Sequence, residues 1–293
     1  MADRAPYAGA GPLTVDSQIH LWTRGTPGGT HHRHPFTADD AIAGMDAAGV
    51  HASVVVPPPW DPGGEDVAID ASRRHPDRFA TMCTVSTDPS QSRRLPRRVG
   101  EPGVVGMRVA FSRPHERARL FDGSADWLWS AAEQAGVPLM VFAPGSLPAL
   151  EQVARRCPGL EIAVDHMGLE TGATDAQAFV PVLGQLRSLA TLANVAIKLS
   201  SAPIYSGDAY PFRSIDGYLR EIFDAFGPSR CFWGTDITRL SCSWRECVTH
   251  FTDELGWLGG RDLELVMGRA LCDWLGWNPS PRRRPASGGE TLS

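Results

Sequence analysis

Eight short apolar runs recur along the chain, each closed on its C-terminal side by polar or small residues: Leu13–Trp22, Ala52–Pro59, Phe79–Ser86, Val104–Phe111, Pro138–Pro144, Glu161–Gly168, Val195–Ser201 and Cys231–Thr238. Runs of this length without sustained alternation read as strands covered on both faces, the condition of a parallel sheet. Helical punctuation fills the gaps. Thr37 and Asp40 form an acidic variant of the capping box ahead of Ala41–Ala48, and Gly49 closes that segment. Ser124 opens a segment with Trp127, Leu128, Ala131, Ala132 and Ala135 at helical spacing, ended by Gly136 and Pro138. Further helices are predicted over Leu147–Arg156, Phe179–Leu192, Ser214–Phe226 and Arg261–Leu275.

Strict alternation of strand and helix fits both an open doubly wound sheet and a closed barrel. No Gly-rich phosphate loop follows the first run, as a dinucleotide-binding sheet requires. Eight units with polar residues at the strand ends predict a single-domain (β/α)₈ TIM barrel over residues 13–277. The flanks, 1–12 and 278–293, are rich in Gly, Pro, Ser and Ala and are expected to be flexible tails.

The length of 293 residues suits one such barrel. A formal charge of -5 leaves no basic excess for phosphates, so nucleic acid is not an expected partner. The clusters Arg93–Arg98 and Arg282–Arg284 read as solvated surface. No apolar stretch is long enough to span a membrane and no hydrophobic signal core opens the chain, which predicts a cytoplasmic protein. The six cysteines lack a CxxC pair and read as free thiols, with Cys83 and Cys231 as small hydrophobes inside strands.

The chemistry gathers at three strand ends. In the first run the two-residue period puts Asp16, Gln18, His20 and Trp22 on one face, aiming Gln18 and His20 into the barrel mouth. The sixth run carries VDHMG and the eighth WGTD, ending in His166 and Asp236. With VDSQIH in the first strand, these motifs resemble the amidohydrolase superfamily, in particular the amidohydrolase-related branch of lactonases and metal-dependent decarboxylases, over about Leu13 to Trp277. The resemblance implies that His20, His166 and Asp236 correspond to that family's site residues. It also exposes two departures. Gln18 stands where many members carry a first metal-binding histidine, and Phe142 stands near the fifth-strand histidine.

These departures exclude a binuclear metal site. A metal-free reaction is favoured: Asp236 as general base, with His20 and His166 donating hydrogen bonds to the carbonyl under attack. The alternative is one zinc or manganese ion on His20, His166 and Asp236. Arg108 and Lys198, charges embedded in apolar strands, are candidate anchors for an anionic substrate or else partners of Asp16 or Asp165. Arg239, Tyr205 and Trp22 complete the expected pocket, and the run Gly28–His34 is a candidate lid carrying His31, His32 or His34.

The reading is a hydrolase opening a lactone or cyclic ester of a small organic acid. A metal-dependent decarboxylase or hydratase of an aromatic or unsaturated acid is the alternative, and a barrel that only binds a small acid is the third. Oligomeric state is open, a homodimer included.

Overall fold

The computed structural model describes residues 13–88, 95 and 97–279. The N-terminal tail, nearly all of the C-terminal one, and Arg93, Arg94 and Arg282–Arg284 lie outside the described residues. Arg98, which is described, pairs with Asp66 at the surface.

Among the described residues the apolar runs become β1 (Val15–Ile19), β2 (Ala52–Val55), β3 (Phe79–Thr84), β4 (Val104–Ala110), β5 (Leu139–Phe142), β6 (Ile162–Val164), β7 (Val195–Leu199) and β8 (Cys231–Trp233). They lie in sequence order in one sheet, every neighbour parallel. The seam between β8 and β1 is drawn together by fewer bonds: the Asp236 amide donates to the Gln18 carbonyl at 2.9 Å, and the Thr235 amide to the Asp16 carboxylate at 2.8 Å. The result is the (β/α)₈ barrel that the alternation predicts.

Among the described residues ten α-helices cover the strands: α1 (Ala38–Ala48), α2 (Gly64–Arg74), α3 (Pro114–Phe121), α4 (Asp126–Ala135), α5 (Leu147–Arg156), α6 (Val180–Ala190), α7 (Asp216–Phe226), α8 (Trp244–Thr249), α9 (Gly260–Glu264) and α10 (Ala270–Leu275). The Thr37 hydroxyl caps the Asp40 amide while the Asp40 carboxylate caps Thr37, so α1 starts at Ala38, three residues before the expected Ala41. Gly49, at φ 80°, ends it in the left-handed region that side chains avoid. The helix expected over Arg261–Leu275 is broken in two by a wider turn at Leu265–Arg269. Three helices were not anticipated, α2, α3 and α8. Two carried a legible signal: Pro114 at the first turn of α3, and the Ser243–Glu246 capping box of α8.

Two packed regions position the site. Between sheet and helices lies the larger core, which includes Ile19, Val55, Val141, Ile197 and Trp233. Inside the barrel a second cluster, with Val15, Val54, Met82, Met140 and Phe232, fills the floor. Two residues beyond Ala163 and Ala196 of that floor, Asp165 and Lys198 begin a polar layer that Gln18 and Arg108 join by hydrogen bonds.

The face expected for β1 needs correction. A register shift between Asp16 and Ile19 breaks the alternation, so Asp16 turns from the mouth toward Thr235 and α8 while Gln18 points inward.

Candidate active site

The mouth of the barrel opens into a cavity of about 920 Å³ whose lining includes Gln18, His20, His31, Arg108, His166 and Asp236. The three expected catalytic groups, from β1, the turn after β6 and the turn after β8, therefore meet. His20 Nε2 lies 3.4 Å from Asp236 Oδ1, and His166 Nε2 lies 3.8 Å from Asp236 Oδ2. Both His166 (φ 50°) and Asp236 (φ 53°) sit in the left-handed region, which costs a side-chain-bearing residue free energy. Such strain concentrates where a turn must aim a side chain.

Asp16 explains how the last turn is held. Its buried carboxylate accepts from the Thr235 amide and hydroxyl, from Trp244 Nε1 at 2.9 Å and from the Gln18 amide at 3.0 Å. Burial nevertheless pushes its pKa up to about 6, against the lowering effect of those bonds. Gly234 is required beside it, since a Cβ there would lie 2.2 Å from Ser17 Oγ.

Burial would raise the pKa of Asp236, but the electrostatic pull of its basic neighbours, the His20 ring and then Arg239, outweighs it and holds the carboxyl at about 2. Asp236 is therefore ionised at neutral pH, and its Oδ1 has no hydrogen-bond partner among the described residues. Burial pushes His20 down and His31 and His166 each down to about 3, so all three rings are neutral. His20 Nδ1 lies 2.7 Å from the Val56 carbonyl, which can only accept, so that nitrogen carries the ring proton. Its Nε2 then turns a lone pair toward the anionic Asp236. This corrects the expectation that His20 donates to a carbonyl, because its single N–H is already used.

A lone pair facing an unpartnered carboxylate oxygen is a place for a cation. His31 completes it: ligand atoms of His20, His31 and Asp236 lie within 4.8 Å of one another. The loop after β1 folds back over the mouth, where His31 Nδ1 meets Thr238 Oγ1 at 2.8 Å and the His32 amide donates to the Thr238 carbonyl at 2.9 Å. Two neutral imidazoles, one of them oriented by a backbone carbonyl, and one carboxylate fit a single divalent ion. The set differs from the expected His20, His166 and Asp236, because His166 Nε2 faces the Gln18 amide nitrogen at 3.2 Å.

The remaining candidates divide. Arg108 and Arg239 line the cavity; Lys198, Tyr205 and Trp22 do not. Arg108 donates from Nε to Asp165 at 3.0 Å and lies over the Phe142 ring, 5.4 Å from its centroid. Arg239 Nη1 stands 3.6 Å from Asp236. Lys198, fully buried, donates to Asp165 at 2.8 Å and to Gln18 Oε1. Tyr205 packs edge-on against Phe179, and Trp22 is buried among His32, Phe36 and Trp60. Sequence reasoning missed Ser200 and Ser201, which meet His166 Nδ1 at 2.8 and 3.2 Å, and Arg113 and Arg119 in the lining. The arginines were legible as a run, RPHERAR, directly after the fourth strand.

Comparison with known proteins agrees with this geometry. L-fucono-1,5-lactonase of Burkholderia ambifaria is 33% identical over 120 residues, spanning 39% of this chain and 37% of that one. 4-Sulfomuconolactone hydrolase of Rhizobium radiobacter is 29% identical over 251 residues, 80% of this chain and 79% of that one. A crystal structure of an amidohydrolase from Burkholderia multivorans with bound zinc superposes with a TM-score of 0.77 at 19% identity, covering 91% of this chain and 100% of that one. The sequence model of the amidohydrolase family matches residues 15–280. Since that match runs from the first strand past the last helix, the chain belongs to the amidohydrolase family.

Proposed function

We propose that this protein hydrolyses a lactone of a small anionic organic acid at the mouth of the barrel. The observation that carries the reading is the ionised Asp236, its Oδ1 unpartnered, at the floor of a cavity lined by Arg108, Arg113, Arg119 and Arg239. The names of the two relatives, both lactone-opening enzymes, support the same reaction class.

In this reading Asp236 takes a proton from water as that water attacks the lactone carbonyl carbon. The carbonyl oxygen gains charge beside the Arg239 guanidinium. The ring C–O bond then breaks, the departing oxygen takes the proton back from Asp236, and the product is an open-chain hydroxy acid. Arg108 grips an anionic substituent; its bond to Asp165 uses only Nε and leaves the terminal nitrogens for a carboxylate or sulfonate. Trp60, edge-on to His20 at 5.4 Å, and Phe142 supply apolar wall.

A divalent ion, with zinc favoured by the donor set, would be held by His20, His31 and Asp236, and when bound would polarise the carbonyl and acidify the attacking water. The depressed pKa of Asp236 favours that supplement, because a carboxylate at about 2 is a weak base toward unaided water. Among the described residues no helix is long and apolar enough to cross a membrane, and all six cysteines are free, which supports an enzyme working in the cytoplasm.

The test is a panel of carboxylated, sulfonated and sugar lactones followed by acid release, with carbon dioxide measured in parallel. Acid release without carbon dioxide, strongest for the anionic lactones, is the expected result. Carbon dioxide from aromatic or unsaturated acids, with no lactone opened, would replace this reading with the lyase one.

A further inference from the structure

The fully buried Lys198 is too deep to touch a substrate, yet it ends a continuous chain of polar contacts that reaches the reacting groups. Its ammonium donates to Asp165 Oδ1 at 2.8 Å and to Gln18 Oε1. On the other side of the same amide, Gln18 Nε2 lies 3.2 Å from His166 Nε2. His166 Nδ1 in turn lies 2.8 Å from Ser200 Oγ, and His166 Nε2 is 3.8 Å from Asp236 Oδ2.

The chemistry of each group fixes the direction of the next bond. An ammonium has three N–H groups and no acceptor, so only the oxygen of the Gln18 amide can face it. The amide nitrogen, which can only donate, must then face His166. A ring nitrogen that receives a hydrogen bond carries no proton, so the proton of His166 resides on Nδ1 and points to the serine hydroxyl. Asp165 anchors the chain from behind and is shared with Arg108 at 3.0 Å.

We infer that Lys198 is a positioning residue that, through Gln18, sets which nitrogen of His166 carries the proton. The inference rests on the reading of Asp236 as the base. With Nε2 unprotonated and its one lone pair taken by the Gln18 amide, His166 has no N–H to give Asp236, 3.8 Å away, and forms no hydrogen-bonded ion pair with it, leaving the carboxylate free for water. It also revises the role expected of His166: the nitrogen that faces Gln18 and Asp236 accepts and does not donate. Gln18, which stands where a metal-binding histidine occurs in many relatives of the resemblance above, is thereby given a role that neither a metal ligand nor a substrate contact supplies.

The test reads the ring directly. Long-range ¹H–¹⁵N spectra of the histidine-labelled full-length protein, with the His166 signals assigned by their loss in His166→Asn, report which nitrogen is protonated without any substrate. Failure of this inference is thus separable from failure of the proposed reaction. Nδ1–H is expected in the wild type. Gln18→Glu keeps the shape and a partner for Lys198, but its carboxylate can only accept, so the proton is expected to move to Nε2. Lys198→Met frees the amide to rotate and is expected to give a mixture of the two forms, with kcat reduced about 10–100-fold and KM little changed. Adding Lys198→Met to Gln18→Glu is expected to cost far less than it does alone. An Nε2–H ring in the wild type would overturn the inference, as would an unchanged proton position in Gln18→Glu, which does not depend on the Lys198 variant folding.

Discussion

At the residue scale, the site is a matter of which lone pairs face which charges. His20 spends its only N–H on the Val56 carbonyl and turns its other nitrogen to Asp236, an arrangement that calls for a cation or a water hydrogen between them. Replacing His31 with Ala is therefore expected to weaken zinc binding at least about tenfold by calorimetry, while His166→Asn leaves it nearly unchanged; the reverse order would restore the ligand set that the sequence suggested. Arg108→Gln removes charge-assisted bonds worth about 1.5–3 kcal/mol. Steady-state kinetics should accordingly show kcat/KM falling about 10–100-fold for carboxylated lactones and hardly at all for neutral ones. Equal losses for both would mean that Arg108 acts through Asp165 alone. His20, His166 and Asp236 were legible because each closes an apolar run within a motif, VDSQIH, VDHMG or WGTD, that resembles the amidohydrolase family's. The exclusion of Lys198, Tyr205 and Trp22 from the cavity was not legible. Which face a side chain takes at a strand end depends on local register and on turns such as the one at Ser201, whose φ is 60°.

At the element scale, the seam between β1 and β8 decides where Asp236 points. No full ladder of backbone bonds is described there; Asp16, Thr235 and Trp244 hold the two ends, and Gly234 lets the chains approach. Gly234→Ala forces a methyl against Ser17 and is expected to lower stability by about 1–3 kcal/mol, read as the midpoint of chemical denaturation. An unchanged midpoint would show that the seam yields without cost. Strands such as β5 and β7 were legible from the sequence since they are buried on both sides and read as apolar runs, broken in β7 only by Lys198. The shift in β1 was hidden, because it shows only in the pairing with β2, which the order of apolar and polar residues within β1 does not carry. Helix α2 was equally hidden: its start, Gly63-Gly64, carries no side-chain cap.

At the scale of the whole molecule, three buried carboxylates give opposite pH dependences, Asp16 on one side and Asp236 and Asp165 on the other. Asp16 titrates at about 6 in the fold against an ordinary 3.8, so between those values the folded chain holds its proton more tightly and stability falls as pH rises. Asp236, held at about 2, contributes stability above pH 3.8 that is lost as the pH falls toward 2, and Asp165, lowered by Lys198 and Arg108 against its burial, adds to that loss. The melting temperature of Asp16→Asn should therefore stay flatter than that of the wild type between pH 4 and 6, while both decline below pH 4. A parallel pair of curves through the upper window would contradict the origin assigned to the Asp16 shift. The net charge of -5 describes the molecule as a whole, while four arginines gather at the one mouth, so an acidic chain still presents a site for anions.

The most direct test of the account is the turnover of an anionic lactone by Asp236→Asn, an isosteric change that keeps the turn but removes the charge. A fall in kcat of about 10²–10⁴-fold, with the fold intact by circular dichroism, is the expected result. Full turnover by the amide variant would contradict the assignment of Asp236 as the group that activates water.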